Sequence, residues 1–153
     1  MPGKVFKETE SYTLREMELG DYSKGFLSLL SQLTTVPPLS LEQFSAIFSA
    51  NQGVSSIVVA ESRSSQRLVG TFKIMFDHKY SRGGGVVAHL EDVVVDREFP
   101  EAEGLGRDLM DLAKSIAETE KCYKIIGNCD AAWLEFFARN GFQAKDICFR
   151  KVF

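Results

Sequence analysis

Two neighbouring stretches of this chain hold residue types whose spacing could do chemistry together. His89-Leu90-Glu91-Asp92-Val93-Val94-Val95-Asp96 is a β-branched run interrupted by a carboxylate pair, and Gly104-Leu105-Gly106-Arg107 opens a helical pattern a few residues later. Adjacent strand residues face opposite sides, so at most one of Glu91 and Asp92 points into a core. A carboxylate placed there needs a hydrogen-bond donor or a functional reason. At the start of the helix, unpaired backbone N–H groups and the helix dipole favour an anion, which suits a phosphate or pyrophosphate. Glu101 and Glu103 oppose an anion at that place but suit the dipole. Each signal also has a plainer reading: a carboxylate pair exposed at a sheet edge, and a structural Gly-x-Gly.

The elements that must position these groups follow from periodicity. Residues 1–11 are polar and read as a loose arm, and Tyr12–Met17 alternates as a first strand. A helix with Asp21 as N-cap carries Phe26, Leu27, Leu30 and Leu33 on one face. Ser40 and Gln43 have capping-box spacing before a second helix with Phe44, Ile47 and Phe48. Strands are expected at Ser55–Glu61, Arg67–Phe76 and Val86–Val95, joined by turns that favour antiparallel pairing. A long helix runs from Gly104 to about Glu120, a short strand covers Tyr123–Ile126, a helix covers Ala131–Arg139 with Asp130 as its cap, and a last strand lies near Ile147–Val152. This order implies a mixed α/β fold, with helical crossovers only in its second half.

The length, 153 residues, suits one domain at about 150 residues each, and a chain of this size buries roughly two-thirds of its unfolded surface without staples. A net charge of −3, from 18 basic and 21 acidic residues, gives no global positive field for nucleic acid or an anionic membrane. An anionic ligand must therefore be held locally. Three cysteines, Cys122, Cys129 and Cys148, lack metal-site spacing and suit free thiols, so no metal is expected. With neither a leader-like segment nor an apolar stretch of roughly 20 residues, the expectation is a soluble cytoplasmic protein. His78 and His89 read as structural or exposed, Cys129 as a free thiol, and Gly83-Gly84-Gly85 as a flexible hairpin or substrate lid.

The strand–Gly-x-Gly–helix unit resembles the acetyl-CoA motif of the GNAT superfamily of N-acetyltransferases. Further stretches resemble one of its families, the eukaryotic glucosamine 6-phosphate N-acetyltransferases: Leu14–Met17 with Gly20-Asp21, Gln32–Val36, Leu41–Phe44, His78–Tyr80, Leu90–Val95, Gly104–Arg107, Cys122–Ile126 and Gly141-Phe142. The resemblance implies a GNAT fold with a mostly antiparallel twisted sheet, and transfer of the acetyl group of acetyl-CoA to the 2-amino group of glucosamine 6-phosphate. It implies cofactor contacts from Val93, Val94 and Val95, whose backbone would pair with the pantetheine arm, and from Ala102, Glu103, Gly104, Leu105, Gly106 and Arg107. Phe137, Ala138 and Arg139 would flank the thiol end. For the sugar phosphate it implies Thr34, Lys79, Tyr80, Ser81, Arg82, Glu91, Asp92, Val93, Tyr123, Lys124, Asn128 and Arg150. The four cations supply charge-assisted donors for a phosphomonoester. The family also implies a homodimer whose subunits share substrate sites.

Some positions depart from the family pattern. Glu101 and Ala102 stand where the motif has Arg or Gln and then Gly, in a loop one residue longer. Trp133 replaces an Asn, Phe137 a tyrosine proposed to protonate the leaving thiolate, and Asn128 a carboxylate that touches the sugar. The expected chemistry is therefore direct attack of the neutral amine in a ternary complex. Backbone N–H groups around Val93 would polarise the carbonyl, Glu91, Asp92 or water would take the proton, and solvent would protonate the thiolate. A GNAT acting on another amine and a non-catalytic acyl-CoA-binding protein are the alternatives.

Overall fold

Six strands line up in chain order in a single sheet: β1 (Val5–Glu8), β2 (Tyr12–Glu16), β3 (Ser55–Ser62), β4 (Leu68–His78), β5 (Val86–Val95) and β6 (Cys122–Ile126). The structure, a computed structural model, describes residues 3–153. Pairing is antiparallel from β1 through β5 and parallel between β5 and β6. Helix α3 (Ala102–Thr119) makes the crossover that parallel pairing requires. The short α1 (Phe26–Leu30), α2 (Leu41–Asn51) and α4 (Leu134–Arg139) complete the helices.

Both faces of the central strands are covered, which is why β3 and β4 read as nearly continuous apolar runs. Against one face, Leu105, Leu109, Met110 and Ala113 of α3 pack on Leu14, Phe72, Ile74 and Leu90. On the other, Phe26 and Leu29 of α1 and Phe44 of α2 pack on Val59, Leu68 and Val94. Each such aliphatic side chain, fully buried, contributes about 1.5–3 kcal/mol.

Several elements differ from the sequence expectation. The loose arm contains β1, an edge strand of mostly exposed residues held by backbone pairing, with residues 1 and 2 outside the described residues. The helix expected from Asp21 is a 3-10 turn at Leu19–Lys24 followed by α1, broken at Gly25, whose φ is +87°. The Arg67 guanidinium lies where a Cβ on Gly25 would be. Asp21 is fully buried and takes two hydrogen bonds from Arg15, at 3.0 and 2.8 Å. Arg15 also donates to Glu61 at 2.5 Å, and Lys24 reaches the same carboxylate at 2.8 Å. Burial alone would raise the Glu61 carboxyl, but these two cations outweigh it and hold it below the ordinary range.

The capping box of α2 is present in full, with Ser40 and Gln43 exchanging bonds at 3.1 and 2.9 Å. Helix α3 starts at Ala102, two residues before the expected Gly104. The helix expected over 131–139 is a 3-10 turn, Ala131–Trp133, followed by α4, and Asp130 makes no side-chain cap bond. The last strand, expected near Ile147–Val152, does not form. Residues 143–153 have no strand or helix, and Ile147 and Phe149 are 90% and 93% exposed. A strand-like sequence needs a partner edge, and none in this sheet pairs with it.

Candidate active site

The carboxylate pair interrupts β5 with a bulge. Thr71 pairs with Val94 and Lys73 with Glu91, so Phe72 alone stands opposite both Asp92 and Val93. Asp92 takes the left-handed conformation this requires, at φ +53°. The extra residue reverses the strand's alternation. Ala88 and Leu90 pack in the α3-side core, and beyond the bulge Val93 and Val95 do so, while Val94 is buried under α1. Neither carboxylate enters a core: Glu91 is half-buried and Asp92 exposed.

The same strand loses its outer neighbour at this point. Pairing of β5 with β6 ends at His89 and Ile126, while β5 continues to Val95. Gly127 turns away tightly past Leu90, and a Cβ there would lie 2.7 Å from the Leu90 carbonyl oxygen. Beyond it the outer edge of β5, bulged backbone included, has no strand partner, and that free edge is the wedge of the candidate site. Such an edge accepts an extended ligand as an added strand. A glycine directly after a short strand was the sequence signal for the wedge, and it was not among the expected site residues.

The wedge leads to the N-terminus of α3. Ala102 donates its N–H to Phe99 and Leu105 donates to Glu101, whereas the N–H groups of Glu103 and Gly104 have no partner among the described residues. Ala102, Glu103, Gly104, Leu105, Gly106 and Arg107 are therefore the first turns of the helix rather than a loop. Two open amides at the positive end of an eighteen-residue helix suit an anion. Glu101 accepts a hydrogen bond from Ser11 Oγ at 3.0 Å, which ties its carboxylate to the β1–β2 turn. Gly106 serves packing, since a Cβ there would meet the Phe136 ring at 2.9 Å. Phe137 is also a packing residue, edge-on to Phe136 and Phe142 at 5.1 and 5.8 Å between ring centroids. Ala138 and Arg139 are exposed beside it.

On the acceptor side, three of the expected residues meet. The Arg82 guanidinium and the Lys124 ammonium lie 5.5 and 5.6 Å from the Tyr123 ring centroid, and that ring presses on Gly85. Arg82 reaches this place through a left-handed conformation, φ +55°, in the β4–β5 turn. The carbonyl of Ser81 closes that turn on Gly84 and Gly85, and Tyr80 projects fully into solvent. Lys79 is already paired, at 2.6 Å, with Asp77, and this bond and charge hold the exposed Asp77 carboxyl below its ordinary range. His89 Nε2 is buried without a hydrogen-bond partner, 3.6 Å from Asp77 Oδ2. Thr34 and Asn128 are exposed. Arg150 lies in the unpaired 143–153 segment, and no hydrogen bond or ion pair joins Thr34, Asn128 or Arg150 to the cluster among the described residues.

A bulged strand, a wedge beside it and a helix with open first-turn amides define an acyl-group transferase scaffold, and the profile of the acetyltransferase (GNAT) family matches residues 13–142. The chain belongs to this family. The more particular likeness is to glucosamine 6-phosphate N-acetyltransferases. The protein named glucosamine 6-phosphate N-acetyltransferase 1 in Oryza sativa subsp. japonica is 37% identical over 141 residues, 90% of this chain and 85% of the relative. The protein named glucosamine 6-phosphate N-acetyltransferase in Trypanosoma brucei brucei is 37% identical over 135 residues, 87% of this chain and 90% of the relative. The crystal structure of the Arabidopsis thaliana enzyme superposes with a TM-score of 0.88 at 31% identity, covering 94% of this chain and 99% of that one.

Proposed function

We propose that this chain, as one catalytic domain over residues 1–153, transfers the acetyl group of acetyl-CoA to the 2-amino group of glucosamine 6-phosphate, giving N-acetylglucosamine 6-phosphate and CoA. The observation that carries this is the bulge at Asp92. It leaves a free strand edge beside a carboxylate pair, while the basic, aromatic cluster of Arg82, Tyr123 and Lys124 lies at the other end of the β5–β6 pairing, beside Gly85 and Val87, and would join the site from a second copy. The residues fit acetyl-CoA: the outer edge of Val93–Val95 would take the pantetheine amides, and the free N–H groups of Glu103 and Gly104 its diphosphate. When bound, acetyl-CoA supplies an acetyl thioester, a good acyl donor because thiolate leaves readily.

The protein's own groups do the rest. Arg82 and Lys124 of the second copy, both packed against the Tyr123 ring, hold the sugar phosphate. The Val93 N–H, beside the bulge, would donate to the carbonyl oxygen as charge develops. Glu91 or Asp92 takes the amine proton, directly or through water. Phe137 has no proton to give, so solvent protonates the leaving thiolate. Proximity of the two reactants in the wedge lowers the barrier by several kcal/mol.

We further infer a homodimer. Apolar side chains at Ile147, Phe149 and Phe153 stand exposed on a segment without a partner in its own sheet, and a second copy would cover them and bring Arg150 to a shared site. Nucleic acid and membrane are not proposed as partners, no metal is invoked, and a cytoplasmic location is proposed. No helix among the described residues is long and apolar enough to cross a membrane.

CoA release from acetyl-CoA tests this reading, with glucosamine 6-phosphate, glucosamine, glucosamine 1-phosphate and a peptide amine as acceptors. Turnover with the 6-phosphate alone is expected. Turnover with another amine would assign a different substrate, and no turnover with any would make the chain a non-catalytic acyl-CoA binder.

A further inference from the structure

Gln32 stands where the two halves of the proposed site meet. It lies just after α1 and two residues before Thr34, and its side chain crosses to the loop that leads from β5 into α3. Gln32 Nε2 donates to Asp96 Oδ1 at 3.1 Å, Gln32 Oε1 accepts from the Arg97 N–H at 3.2 Å, and the Gln32 carbonyl accepts from the Arg97 guanidinium at 3.4 Å. Both ends of this clasp are anchored. Asp96 donates its own N–H to Val69 in the sheet at 2.8 Å, and its Oδ1 also accepts from the Glu98 N–H at 3.0 Å. On the other side, Phe26 and Leu29 of α1 are buried with Val94. No other hydrogen bond among the described residues joins residues 31–40 to residues 96–101.

The position asks for an amide. An amide side chain does both at once, donating to a carboxylate through its nitrogen and accepting from a neighbouring N–H through its oxygen. A carboxylate at position 32 would face Asp96 with no proton between them.

We propose that Gln32 is a positioning residue that couples cofactor binding to acceptor binding. A diphosphate held at Glu103 and Gly104 fixes the 96–101 loop, and the clasp carries that order to the segment around Thr34. Such a link is reciprocal: each ligand tightens the other by the same factor. The inference rests on the proposed acceptor, so the test separates the two.

Calorimetric titration of the full chain with glucosamine 6-phosphate, in the absence of CoA and with CoA saturating, measures the coupling. The wild-type chain is expected to bind the sugar phosphate at least about fivefold more tightly with CoA present. Gln32→Ala and Gln32→Glu bring that ratio to about one, while each ligand alone binds within about twofold of wild type. Asp96→Asn keeps the ratio, because an amide oxygen still accepts from Gln32.

A ratio unchanged by Gln32→Ala or by Gln32→Glu overturns the proposal. A lowered melting temperature with both ligands weakened and the ratio intact would mark the clasp as merely structural and also overturns it. If the wild-type chain binds both ligands with a ratio of one, the coupling alone falls. If it binds CoA but no sugar phosphate, the acceptor reading falls and takes the coupling with it.

Discussion

Replacing Glu101 by glutamine should tighten binding of CoA. The family motif carries Arg or Gln here, and this chain places a carboxylate at the N-cap of α3, beside the helix end proposed to hold a diphosphate. Taking the diphosphate to lie about a turn and a half of helix away, the separation is about 8 Å. One unit charge acting on about two at that distance in water costs about 1 kcal/mol, or about fivefold in affinity. At 0.15 M salt the Debye length is also about 8 Å, which cuts the effect to about twofold. The hydrogen bond from Ser11 survives, since the glutamine oxygen accepts as the carboxylate does. The helix loses a favourable charge at its N-terminus, about 0.3–1 kcal/mol, which lowers Tm by about 1–4 °C. Titrations of CoA at low and at physiological salt measure both magnitudes. Affinity unchanged at low salt, or a gain equal at the two salt levels, would refute the electrostatic argument.

Other substitutions probe the remaining parts. Gly106→Ala adds a methyl that meets Phe136 at 2.9 Å; overpacking costs about 1–3 kcal/mol against about 1 kcal/mol gained in helix propensity, so Tm falls and KM for acetyl-CoA rises more than KM for the acceptor as α4 shifts. Glu91→Gln and Asp92→Asn, assayed for the pH profile of kcat/KM, identify the base: the variant of the base loses the acidic limb, and unchanged profiles in both exclude them. Glu61, depressed below its ordinary value of 4.5 in the folded chain, contributes stability that is present above that value and is lost as pH falls through the folded one. Glu61→Gln therefore lowers Tm at neutral pH and flattens its decline in acid, as thermal melts across pH would show. Tyr12→Phe removes the 2.5 Å bond from the phenol to Asp108 and leaves Lys7 as that carboxylate's partner; a loss of about 1–2 kcal/mol in urea denaturation is expected.

Much of the scaffold was readable because local pattern and tertiary need agreed. Val86–Val95 was bounded correctly since both of its faces are buried, and Ser40 with Gln43 announced a cap that depends only on neighbours three residues apart. The misses are places where distant residues decide. Nothing near Asp21 in sequence indicates that Arg15 and Glu61 will bury it in an ion network, and nothing near Gly25 indicates that Arg67 will fill the space beside it. β1 lacks apolar alternation because its pairing is made by backbone. The stretch at 147–152 has strand composition without an edge to join, so composition overstated it. Tyr123, Lys124 and Arg82, which the fold brings together, were named in the sequence only through family resemblance, among other residues. The wedge at Gly127 and the clasp at Gln32 were not, because they arise from the spacing of separate elements.

The extra residue at Asp92 gives β5 a reading frame. The side chains turned toward α3 are Ala88 and Leu90 before it and Val93 and Val95 after it, so a saturation-mutagenesis map of this strand should show a phase slip, with intolerance to polar side chains passing from even to odd positions. Substituting Asp92 leaves the frame in place. Deleting it would join the two halves in regular pairing, with Phe72 opposite Val93, and would leave Val93, Val94 and Val95 on the faces they already occupy. Loss of this one residue would thus remove the bulge, and the site proposed on it, while sparing the phase of the core, the reverse of a deletion in regular strand, which turns every later side chain to the other face.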